Sequence, residues 1–86
     1  MPSFAHFVRT DPEGTAKAIA DAIYLAPRIL CLPKGKPPKP KFMREYVRIA
    51  IFHISKGQLE HDDLDEITTL TLKQLIVRFS KQPSNP

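Results

Sequence analysis

Apolar residues recur three and four apart over much of this chain, the spacing that gathers them on one side of an α-helix. Ala16, Ile19, Ala20 and Ile23 form the first such stripe, with Lys17 and Asp21 on the other side. Thr10-Asp11-Pro12-Glu13 ahead of it reads as a helix start. Thr10 can cap, Pro12 is preset for the first turn, and Glu13 closes a capping box. Pro27 is expected to stop this helix near Ala26. Upstream, residues 2–9 lack a clear helical period, so Phe4, Phe7 and Val8 suggest a short extended N-terminal segment.

The second periodic stretch runs from Phe42 to Lys56. On a helical wheel its polar arc holds Arg44, Glu45, Arg48, Ser55 and Lys56, and Phe52 intrudes on it. Phe42, Met43, Tyr46, Val47, Ile49, Ala50, Ile51 and Ile54 fill the rest. A helix apolar over more than half its circumference is either sandwiched in a core or shared with a partner. His53 falls on the apolar arc, where a partly buried imidazole is expected. Gly57 suits the helix end. Tyr46 to Phe52 is also rich in strand formers, so an α+β alternative has strands at 3–9 and 46–54.

In the last stretch, Leu64, Ile67, Leu70, Leu72, Leu75, Ile76 and Phe79 scatter around one continuous helix. A break near Leu70 gathers them, with Thr71 as cap and Gln74 three residues on. The spacing thus predicts helices at 62–69 and 72–81. Between the first and central helices, Pro33-Lys34-Gly35-Lys36-Pro37-Pro38-Lys39-Pro40-Lys41 excludes helix and central strand alike. The reading is a mainly α domain of three to four helices over residues 1–82. It has an exposed Lys/Pro arm at 33–41 and a disordered tail at 83–86.

Composition narrows the class. With 86 residues the chain makes one small domain, and 42% apolar and 26% charged residues are ordinary for a folded protein. The one cysteine, Cys31, has no internal disulfide partner. It reads as a small buried hydrophobe. The start lacks the basic leader and apolar core of a signal peptide. The longest purely apolar run at the centre, Ile49-Ala50-Ile51-Phe52, is far short of the roughly 20 residues a bilayer needs. The expectation is a cytoplasmic protein with no membrane contact.

Charge sharpens this further. The total is +4, but Arg28 to Lys56 holds eight basic residues against Glu45 alone, a local +7. Such a stretch points to an anionic partner. Lys34, Lys36, Lys39 and Lys41 on the arm, with Arg44 and Arg48 one turn apart after it, are candidates for contacting nucleic-acid phosphates. The final two helices suggest a helix-turn-helix reading in which Lys73, Gln74 and Arg78 face outward. With Phe52 beside Arg48, they are also candidates for a partner interface.

Catalytic and metal chemistry find little footing. The acids from Glu60 to Glu66 lack the spacing of a calcium loop and suit a helix start. His6, His53 and His61 are scattered, and the three glycines form no phosphate loop. No cofactor is implied. The expected function is a non-catalytic accessory or regulatory protein that binds DNA or RNA. The alternative is a protein-interaction module, a homodimer or an adaptor for an acidic protein surface.

Overall fold

The computed structural model describes residues 3–30 and 40–81. They form four α-helices: α1 (Phe4–Thr10), α2 (Pro12–Leu25), α3 (Pro40–Ile54) and α4 (His61–Lys81), with a 3₁₀ turn at Pro27–Leu30. No strand occurs among the described residues, so the all-helical reading holds and the α+β alternative does not. The Lys/Pro arm up to Lys39, Cys31 and the tail 83–86 lie outside the described residues.

The expected extended N-terminal segment is helical instead. Ser3 caps α1, its hydroxyl accepting from the His6 N–H at 3.2 Å. Phe4, Ala5 and Val8 then share the face turned to the core. Asp11 ends α1, donating its N–H to Phe7 O at 2.8 Å, and also begins α2. Its carboxylate accepts from the Gly14 N–H at 3.1 Å, so the α2 cap lies one residue beyond Thr10. Gly14 leaves room for that carboxylate, since a Cβ there would stand 2.2 Å from Asp11 Oδ2.

The central helix is present, shifted two residues toward the N-terminus at both ends relative to the expected 42–56. Its end is a Schellman motif: Gly57 N–H reaches Phe52 O and Lys56 N–H reaches His53 O, both at 3.0 Å. Lys56 and Gly57 both take positive φ, 56° and 72°. The left-handed cap position therefore falls on Lys56, one residue before the expected glycine.

The break expected at Leu70 is absent, because α4 runs unbroken from His61 to Lys81. Its buried residues are Leu64, Ile67, Thr68, Thr71 and Leu75, a regular helical stripe completed by two threonines. Thr68 satisfies its hydroxyl on Leu64 O at 2.6 Å. Thr71 is no cap; it is fully buried and its hydroxyl has no hydrogen-bond partner. The stripe packs on Ala16, Ile19, Ala20 and Ile23 of α2 and on Val47, Ala50 and Ile51 of α3 to make one core, closed by Val8, Leu30 and Leu59.

Candidate interaction surface

The wide apolar arc of α3 is two faces. Val47, Ala50 and Ile51 point into the core, with Met43 packed beside them. On the opposite side Phe42, Ile49 and Phe52 are 42%, 49% and 47% exposed, and His53 is exposed beside them rather than partly buried. Half-buried Tyr46 joins this outward face, and Phe42, Glu45, Tyr46 and Ile49 line a shallow hollow of about 300 Å³. The core needs only one side of this helix, so the apolar surplus faces solvent. Phe52 also lies over the chain reversal, where a Cβ on Gly57 would come within 3.3 Å of its ring.

The basic candidates flank this face and are partly engaged inside the molecule. Arg48 donates from Nε to Asp65 Oδ1 at 3.1 Å, and its Nη2 lies 3.3 Å from His61 Nδ1. Arg44 Nη1 donates to Thr69 Oγ1 at 2.9 Å. Lys41 is exposed, its Nζ 5.0 Å from the centre of the Phe42 ring, within cation–π range. The Arg48 hydrogen bond holds the Asp65 carboxyl below the usual carboxylate range. Burial opposes that shift, and the electrostatic influence of Arg48, His61 and Arg44 adds to it. Lys34, Lys36 and Lys39 lie outside the described residues.

The α4 candidates divide. Lys73 is exposed, while Gln74 and Arg78 are half-buried. Arg78 donates from Nε to Asp21 Oδ1 on α2 at 2.8 Å and from Nη1 to Gln74 Oε1 at 3.1 Å. With α4 continuous, these residues do not sit on a separate recognition helix.

From sequence, the wide apolar arc of α3 is either sandwiched in the core or shared with a partner, and the structure divides it between the two sides of the helix. The 4-3-4 spacing of Phe42, Tyr46, Ile49 and His53 is the sequence signal for a second face. Among the described residues no cluster of His, Cys, Asp and Glu is arranged to hold a metal ion, and no helix is long and apolar enough to cross a membrane. Set against known proteins, the chain matches no family model, no curated protein and no solved structure.

Proposed function

We propose that this protein is a non-catalytic, cytoplasmic interaction module that holds a protein partner on the outward face of α3. The observation that carries this reading is the exposure of Phe42, Ile49 and Phe52 on one side of a helix whose opposite side buries Val47, Ala50 and Ile51 in the core. Clustered exposed aromatic and aliphatic side chains are costly in water and serve as anchors in interfaces. Glu45 is the one charged side chain within the face, and Lys41, Arg44 and Arg48 line one edge of it. An apolar patch bordered by polar side chains is common in protein interfaces.

The test is a photocrosslinking amino acid at position 49, with the exposed Lys17 on α2 as control site. Crosslinks to protein from position 49 and none from position 17 are expected. Equal yields from both sites would defeat the reading.

Nucleic-acid binding is a second reading, favoured by one observation: Lys41 and Arg44 are exposed at the start of α3, directly after the lysine-rich stretch. It expects affinity for DNA or RNA that falls steeply with salt and with replacement of Lys34, Lys36, Lys39 and Lys41 by Ala. Fluorescence anisotropy across a salt series checks this.

A further inference from the structure

We infer that Lys41, Arg44 and Lys73 form one phosphate-binding row along the seam between α3 and α4, and that it takes the phosphodiester backbone of a nucleic acid. This rests on the second reading above and names its site, which recruits a cation from α4. Two contacts set the register of the seam. Arg48 meets Asp65 and Arg44 meets Thr69, so the two helices run antiparallel and step four residues at a time. The next step sets Pro40, with Lys41 beside it, level with Lys73.

Charge changes from step to step. Arg48 is neutralised by Asp65 and also occupied by His61. Arg44 is held by a hydroxyl, which carries no charge to offset its own. Thr69 donates its hydroxyl proton to Asp65 O at 3.0 Å, so its oxygen is left to accept from Arg44. The third step carries a cation on each helix. Lys41, Arg44 and Lys73 are all exposed. Among the described residues none of the three is ion-paired, whereas Arg9, Arg48 and Arg78 are.

An arginine fixed by a neutral partner keeps its full charge and most of its N–H donors for a ligand. Thr69 therefore orients Arg44 without neutralising it. Lys41 rests beside the Phe42 ring at 5.0 Å, and an exposed ammonium on a flexible stem turns to an anion at little cost. Like charges that no acid offsets repel one another, and an anion laid between them relieves this.

The layout favours a polymer over a single anion. The cations are strung along a seam instead of gathered in a pocket, and in sequence Lys34, Lys36 and Lys39 stand just ahead of Lys41. The acids of α4, Asp62, Asp63, Asp65 and Glu66, all precede Thr69, toward the Arg48 end. Glu45 belongs to the outward face of α3. A strand entering at the Lys73 end thus meets cations first.

Fluorescence anisotropy of the full chain with a short labelled DNA duplex, across a salt series, tests the inference. Lys73→Gln and Arg44→Gln should each weaken binding about fivefold at about 0.1 M salt and lower the salt slope by about one. Lys17→Gln on α2 makes the same change of net charge and should have little effect, as should Arg48→Gln combined with Asp65→Asn, which removes a neutral pair. Circular dichroism checks that each variant is folded. If Lys73→Gln does no more than Lys17→Gln while wild type binds, the row is overturned and the second reading stands. If wild type fails to bind at low salt, both fall. Displacement of the duplex by a poly-glutamate peptide at equal charge overturns the assignment to phosphate.

Discussion

Thr71 is fully buried with an unpartnered hydroxyl. A buried polar group without a hydrogen bond keeps its desolvation cost. Thr71→Val replaces that hydroxyl with a methyl group of similar size. The expected gain is about 1 kcal/mol, or roughly 4–8 °C in Tm for a domain of this size. The same change at Thr68 should gain less, because its hydroxyl already bonds Leu64 O. Thermal unfolding followed by circular dichroism compares the two, and a destabilised Thr71→Val would mean that the hydroxyl is satisfied after all. These two residues also account for the absence of the break expected near Leu70. Threonine is polar in any apolar count and a familiar cap, so an apolar period omits Thr68 and Thr71 from the stripe they complete.

At the scale of the element, including the threonines makes the period of α4 regular and no break is required. The competing two-helix arrangement would put Lys73 in a first turn, where proline is tolerated. In the continuous helix Lys73 is interior and exposed, and Lys73→Pro should cost about 3 kcal/mol or more. Urea unfolding measures this, and a cost well under 1 kcal/mol would favour two helices. Helices α2 and α3 were legible because their apolar residues recur over several turns and their ends carry proline or glycine. Helix α1 was not, since seven residues give barely two turns of period. The Ser3 cap was its one local signal. On α3 the stripe was visible, but its division into inner and outer faces depends on how many neighbours the helix has, which local sequence does not specify.

Across the whole molecule, separate stretches of charge meet. Arg9 of α1 reaches Asp63 at 3.4 Å, Arg48 of α3 reaches Asp65, and Arg78 ties α4 back to Asp21 on α2. The sequence separates a basic middle from an acidic stretch after it, and the fold sets part of one against the other. The +7 stretch was plainly visible, yet the share of it left for a partner depended on these pairings. They also predict an acid response. The carboxyl of Asp65 is held below its ordinary value, chiefly by the Arg48 hydrogen bond. Its contribution is therefore complete above its unfolded value of about 3.9 and fades as pH falls through the lower, folded value. Denaturant unfolding from about pH 6 to pH 2.5 should show wild type losing more stability than Asp65→Asn. Parallel curves for the two would rule out this pair as a source of the acid response.

Asp11 closes one helix and opens the next, so no slack separates α1 from α2. The consequence concerns length more than chemistry. One residue added within the last turn of α1 would rotate everything before it by about 100° relative to α2. Val8 would turn from the core and Arg9 from Asp63 together. This elbow can absorb a change of side chain far more readily than an insertion, and it sets the N-terminal helix at a fixed angle without a loop to adjust it.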